Sequence, residues 1–171
     1  MKIIVRVFLF VLIVAAVQHL FISFVPDIIF AIAQYRKPQP VNTIIHATQP
    51  DARMRQVVLP NPDFIYNACF YDVTDNDLVI SGEFPDTSQY CSLAFYDNTC
   101  QPFFVSNNLH GMAKNYSIRL KTFNKGPHGV VAKTKRGVIL MRILVTDSAQ
   151  AINAKRIQTK FKASESFADG Q

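Results

Sequence analysis

Much of what marks an enzyme in its sequence is missing from this 171-residue chain. It has no G-x-S-x-G elbow, no H-E-x-x-H pair, no P-loop and no dinucleotide fingerprint, which removes the usual local signatures of acyl transfer, zinc hydrolysis and nucleotide binding. His19, His46, His110 and His128 are widely scattered, so no ligand spacing calls for a metal and no motif calls for a cofactor. Three cysteines, Cys69, Cys91 and Cys100, are an odd number and exclude a complete disulfide framework. One cross-strand bond is allowed in an oxidising compartment, and buried free thiols are the simpler expectation. No activating base is visible beside any of them.

Charge of one sign is also unevenly supplied. Residues 51–100 hold eight acidic and two basic side chains, whereas 101–171 hold three acidic and twelve basic, within a formal net charge of +6. Two such halves neutralise each other within one folded domain. Neither zinc-finger spacing, a recognition helix nor a ribonucleoprotein motif accompanies the basic half, so the reading is no nucleic acid. For a tethered protein the basic groups fit anionic lipid headgroups better.

What the chain does have is a long apolar start. Residues 3–25, IIVRVFLFVLIVAAVQHLFISFV, extend roughly 35 Å as a helix at about 1.5 Å per residue, enough to cross a bilayer. A core helix, a cleaved signal peptide and a retained anchor compete for this stretch. An all-round apolar helix has nowhere to hide in a domain this small. Lys2, Arg6 and Ala31-Ile32-Ala33 fit a signal peptide, but the apolar run exceeds the roughly 7 to 15 residues of a signal core. The retained anchor is therefore the preferred reading. Gln18 and His19 are the polar pair within it.

Beyond the anchor, assigned to residues 1–33, a proline-rich linker is expected over 34–56, with Ile44, Ile45 and Val57 to Leu59 able to touch the following domain. That domain, 57–162, reads as short apolar runs at 64–72, 77–84, 89–97, 101–106, 116–122, 129–133 and 137–146, separated by turn clusters such as TDND, PDTS and DNT. Connections this short predict an antiparallel meander without crossover helices. In the first run Phe64, Tyr66, Ala68 and Phe70 form the wholly apolar set, which predicts that face as core. A helix is predicted over 147–162, capped by Asp147 or Ser148, with Ala149, Ile152, Ile157 and Phe161 as its apolar stripe. The tail 163–171 is expected to be frayed. The fold class is thus mainly β, an antiparallel β-sandwich or open barrel with a C-terminal helix, preceded by one N-terminal transmembrane helix.

One stretch invites a chemical question, LPNPDFIYNACFYDV at 59–73. Proline is tolerated just before a strand, and the Asn and Asp beside it can hold turn amides, so Asn61-Pro62-Asp63 needs no catalysis to explain it. The alternative makes Asp63, with Tyr66 or Asp72, a general acid or base in a pocket.

The order of these features resembles the domain-of-unknown-function 1254 (DUF1254) family. Asn61-Pro62-Asp63 is followed by Tyr66, a strand ending in Asp72, the Pro85-Asp86 turn, and a strand carrying Tyr90, Ser92, Leu93, Tyr96 and Asp97. The closing GVVAKTKRGVILMRILVTDSAQAINAKRIQ, with Arg142, is similar to the family's last strand and helix. Phe64 departs from the small hydroxyl residue common there, and 107–128 is short, as in the small, membrane-anchored bacterial form, where an apolar helix bears a His and then a Pro as His19 and Pro26 do. The resemblance implies a β domain in the bacterial envelope; the default orientation of such a leading span, amino end in the cytoplasm, then makes the expectation a single-pass inner-membrane protein with its domain facing the periplasm. It marks Asn61, Pro62, Asp63, Tyr66 and Asp97 as family-motif positions without assigning them a ligand, and it implies a separately encoded companion of the DUF1214 type. It supplies no activity. Two classes of function therefore stand, a noncatalytic envelope binding module and a hydrolase-like envelope enzyme using Asp63. The anchor is tested most directly: the chain is expected to stay in the membrane pellet after an alkaline carbonate wash, and a soluble product beginning at Gln34 would identify a signal peptide instead.

Overall fold

The computed structural model describes residues 2–36, 40–50, 60–110, 113–121 and 129–166. The chain divides into two units, residues 1–37 and 38–171. The first is a single helix, α1 (Lys2–Arg36). Its segment Lys2–Val25 has a mean hydropathy of 2.5 and is long and apolar enough to cross a membrane. The helix runs on past Pro26, about three turns beyond the expected span. Within it the Ser23 hydroxyl donates to the His19 carbonyl at 2.8 Å, satisfying a polar side chain inside an apolar helix.

The second unit is a two-sheet β structure with one helix. Its elements are β1 (Ile44–His46), β2 (Phe64–Asp72), β3 (Asp77–Glu83), β4 (Cys91–Asp97), β5 (Pro102–Asn107), β6 (Asn115–Lys121), β7 (Val130–Val131), β8 (Arg136–Leu144), α2 (Ser148–Lys160) and β9 (Lys162–Ser166). The mainly β class with a C-terminal helix holds. The predicted meander does not: one sheet runs β1-β2-β8-β4-β5 and the other β7-β6-β3-β9. Consecutive strands β2 and β3, and β3 and β4, change sheets, because each buries its apolar set only by facing the other layer. Among the described strands the pair β6 with β7 is parallel, over two residues, beside otherwise antiparallel ladders.

Both ends of the domain extend further than expected. β1 lies in the presumed linker and pairs with β2, Ile45 opposite Ala68, so Ile44 and Ile45 do pack on the domain while 57–59 lie outside the described residues. Part of the presumed frayed tail is β9, paired with β3 through Asp77↔Ser166 to Ser81↔Lys162. Edge pairing outweighs the polar character of SES, since every ladder bond satisfies backbone groups.

The core face of β2 is the opposite of the predicted one. Ile65, Asn67, Cys69 and Tyr71 point inward, and Phe64, Tyr66, Ala68 and Phe70 are half-buried on the outside. Register decides this. The inward residues stand opposite Ile143, Met141, Ile139 and Gly137 of β8, and β8 in turn aligns Leu93 and Phe95 of β4 on the same side. A slip of one residue would turn this entire set to solvent. The polar intruder Asn67 is satisfied, donating to the Gln158 carbonyl at 3.5 Å and paired with His46 Nδ1 at 2.9 Å. Opposite them, Leu78, Ile80, Ile118 and Leu120 complete a single core. A bulge between Phe95 and Tyr96 presses both Phe103 and Phe104 onto it.

Helix α2 is capped by Asp147, whose carboxylate accepts from the Gln150 amide at 2.8 Å. Its buried side chains are Ala154, Ile157 and Gln158, with Phe161 buried just beyond; Ile152 is 73% exposed, so the predicted stripe is half correct. The true stripe includes a glutamine because Gln158 Nε2 donates to the carbonyls of Ala47 at 2.9 Å and Tyr66 at 3.0 Å.

Two glycines accommodate tyrosines lying across neighbouring strands. A Cβ on Gly137 would sit 2.2 Å from the Tyr96 carbonyl oxygen and 2.4 Å from the Tyr71 phenol oxygen, and one on Gly82 would sit 2.5 Å from the Tyr116 phenol oxygen. The Gly137 clash is with backbone of a paired strand, whereas Tyr116 is a side chain with some freedom to shift. Gly137→Ala is therefore expected to cost about 2 to 3 kcal/mol and Gly82→Ala about half that. Urea midpoints of the detergent-solubilised chain would check the order.

Candidate functional site

The Asn-Pro-Asp stretch is a strand entrance built from main-chain bonds. The Asn61 side-chain oxygen accepts from the Asp63 amide at 2.9 Å, the Asn61 carbonyl accepts from the Phe64 amide at 3.2 Å, and the Tyr66 hydroxyl accepts from the Asn61 amide at 3.0 Å. Pro62 contributes its carbonyl to Gln49 at 3.0 Å, and the Asp63 carbonyl accepts from Val145 at 2.8 Å. Asn61, Pro62, Asp63 and Tyr66 thus come together as a turn. The Asp63 side chain is exposed, and among the described residues its carboxylate has no hydrogen-bond partner.

Asp72 is elsewhere. It closes β2, nine residues long, so at about 3.3 Å per residue it stands roughly 30 Å from Asp63. Its carboxylate accepts from Arg136 Nε at 2.7 Å and from the Thr74 amide at 3.0 Å. Burial opposes ionisation, but the Thr74 and Arg136 bonds outweigh it and hold this carboxyl below its usual range. Its main chain is clamped from both sides by the Asn42 amide, at 2.9 Å each way. Asp97 is a hairpin cap: one oxygen accepts from the amides of Thr99 at 3.0 Å and Gln101 at 2.9 Å. That geometry allows the left-handed Cys100, φ 62°, at the turn.

Other reactive groups are muted by burial. It pushes the Cys69 thiol up to about 12 and the Cys91 thiol higher still, so neither is a nucleophile at neutral pH. Cys69, Cys91 and Cys100 are all free. Among the described residues no group of His, Cys, Asp and Glu could hold a metal ion.

Two places remain. One is a shallow cleft of about 400 Å³ lined by Ser81, Glu83, Asn115, Tyr116, Thr159, Lys160 and Lys162 among others. Its acid is already engaged: Glu83 accepts from Lys160, and from Arg156 at 3.3 Å. The Lys160 bond, opposed by burial and joined by Arg156, holds the Glu83 carboxyl below its usual range, which suits an ion pair and not a general base.

The other is a row across the outer face of the five-stranded sheet. Register aligns Tyr66 of β2 with Arg142 of β8, Arg142 with Ser92 of β4, and Ser92 with Asn107 of β5. Among the described residues, Arg142 Nε and Ser92 Oγ are both buried without a hydrogen-bond partner. Apolar rows flank them, Phe64 with Leu144 on one side and Ala68, Leu140, Ala94 and Val105 on the other. Sequence reasoning carried Ser92 and Arg142 only as parts of a resemblance. The available signal was an arginine in the middle of the apolar run VILMRILV.

A family model described as protein of unknown function, DUF1254, matches residues 41–165. The chain belongs to the DUF1254 family. The match, 41–165, begins just before β1 and ends inside β9, in keeping with the strands found at both ends. None of the curated proteins matches this DUF1254 chain. Among solved structures it is similar to the VPA0106 protein from Vibrio parahaemolyticus, with a TM-score of 0.64 and 12% identity over 83% of this chain. A putative uncharacterized protein from Burkholderia cenocepacia aligns at a TM-score of 0.48 and 14% identity, over 75% of this chain and 36% of that one. The first shares the fold. The DUF1254 chain spans about a third of its length, 35%.

The Glu83 pairing has a measurable consequence. The folded-state pKa lies below the unfolded value of about 4.3, so the pair stabilises the fold above that value and the contribution is lost as pH falls through the folded-state pKa. Lys160→Met is expected to lower stability modestly at neutral pH, and the gap from the parent chain is expected to close below about pH 4 in urea titrations.

Proposed function

We propose that this DUF1254 protein is a noncatalytic binding module of the bacterial envelope, held by α1 as a single-pass anchor in the inner membrane with its β domain facing the periplasm. Its partner is a separately encoded companion of the DUF1214 type. One observation carries the noncatalytic reading: the two carboxylates that would form an acid–base pair, Asp63 and Asp72, stand at opposite ends of β2, one in a backbone turn and the other in an ion pair with Arg136. General acid–base catalysis needs both groups within hydrogen-bond reach of one substrate. Tethering supports the binding reading as well, since two membrane-anchored chains gain effective concentration and a modest interface suffices.

Co-purification from mild detergent tests this. The full-length chain is expected to bring down a second envelope protein in near-equal amount, and Asp63→Asn to bring down as much. A chain that emerges alone and monomeric even after crosslinking would overturn the proposal, as would an envelope-metabolite turnover that Asp63→Asn abolishes.

A further inference from the structure

The two outer faces of the domain differ in chemistry. Outside the four-stranded sheet, neighbouring strands align Ser81 with Ser117 and Lys162, and Val79 with Arg119 and Ser164. This is an ordinary solvated face. Outside the five-stranded sheet, Ile45, Phe64, Tyr66, Ala68, Phe70, Val138, Leu140 and Leu144 are half-buried and Val105 is 58% exposed. The Phe64 ring is tilted against Tyr66 at 6.3 Å and edge-on to Tyr90 at 6.4 Å, which keeps these aromatics spread over the surface. Strands of up to nine residues, five abreast, give a face of roughly 25 by 20 Å. Covering it on both partners would bury about 1,000 Å², near the lower limit for a specific interface.

Arg142 lies near the middle of that face. Among the described residues its buried Nε, a charge-bearing donor, has no hydrogen-bond partner, and neither has the hydroxyl of its register neighbour Ser92. Leaving both unmet is costly, because each has given up its water without gaining a partner. Asp72, an acid on the same face, is at the far end and already bonded to Arg136. A guanidinium edge beside a hydroxyl matches the two oxygens of a carboxylate, and a central arginine ringed by apolar side chains is the usual anatomy of an interface hot spot. VPA0106 carries the same fold as 35% of a longer chain, so a relative of this domain exists with much additional chain attached.

We propose that the outer face of the five-stranded sheet is the docking surface for a companion protein domain, which lays an apolar patch on it and presents an aspartate or glutamate carboxylate to the half-buried Arg142 guanidinium, whose turn toward the carboxylate uncovers its Nε and the buried Ser92 hydroxyl beside it. This rests on the binding-module reading and names its face and its recognition chemistry. The test uses the full-length protein in its own membranes, with a photoreactive phenylalanine analogue at Leu140 or, on the other sheet's outer face, at Ser117. The expected result is an adduct from Leu140 with one heterologous protein at a segment containing an acid. Arg142→Glu should reduce its yield about tenfold or more, Arg142→Met nearly as much, and Arg142→Lys less, because lysine keeps charge but not the fork. Exchange of the partner's acid for arginine should restore the adduct to Arg142→Glu. Thermal melts of Arg142→Met, which retains the apolar stem, show whether lost yield reflects lost folding. Adducts from Leu140 only to lipid or to a second copy of this chain would overturn the proposal, as would a yield indifferent to Arg142. Silence at Leu140 with a heterologous adduct at Ser117 would overturn the face and leave the binding reading standing; silence at both would overturn the two together.

Discussion

Strand β8 is the constraint on which the domain depends. It hydrogen-bonds β2 on one side over nine aligned pairs and β4 on the other over seven, so strands distant in sequence are held in one register by a segment made late in the chain. Its alternate residues Ile139, Met141 and Ile143 are fully buried, and they dictate which residues of β2 and β4 turn inward. Gly137 begins this arrangement. The Tyr71 phenol crosses above it, and burial pushes that phenol up to about 12, with Thr134 partly countering and Asp97 adding to the rise. No other residue type fits between a tyrosine ring and a neighbouring carbonyl.

Side-chain amides tie the ends of the layers. Asn42, in the left-handed region at φ 58°, bonds the Asp72 main chain in one sheet and the Glu165 carboxylate on β9 in the other. Gln89, nearly buried, donates to the carbonyls of Leu144 at 2.7 Å and Gln150 at 3.0 Å and accepts from Asn153 at 2.7 Å, which fixes α2 to the turn before β4. Asn108 gathers the carbonyls of Pro85 and Gln89 and the Cys91 amide. Each of these satisfies backbone groups that a small sandwich would otherwise leave unpaired at its rims. Among the described residues the Tyr71 and Tyr116 phenols and Asp77 Oδ1 are also buried without a hydrogen-bond partner; Arg142 Nε and Ser92 Oγ differ from these in lying side by side on the outer face of the five-stranded sheet.

The contrast between the two outer faces follows from the same arrangement. The sheet of β7, β6, β3 and β9 turns serines, lysine and arginine outward, as expected where water is the neighbour. The sheet of β1, β2, β8, β4 and β5 is apolar on its inner side and carries apolar rows on its outer side as well, broken by the row of Tyr66, Arg142, Ser92 and Asn107.

From the sequence by itself came the apolar helix at the start, the strand runs, the Asp147 cap and the family, because each depends on local composition, short-range spacing or an ordered set of short motifs. Seven of the nine strands among the described residues were legible in this way; β1 and β9 were not, since IIH and KASES are short edge segments stabilised by the strand they join and not by their own pattern. The inward face of β2 was misread because both sets of its residues are largely apolar, so alternation alone carried no sign and the choice fell to register with β8. The candidate site was hidden for a related reason. Tyr66, Ser92 and Arg142 are distant in sequence and adjacent only through two strand pairings, a relation that long-range backbone hydrogen bonding decides and local chemistry does not.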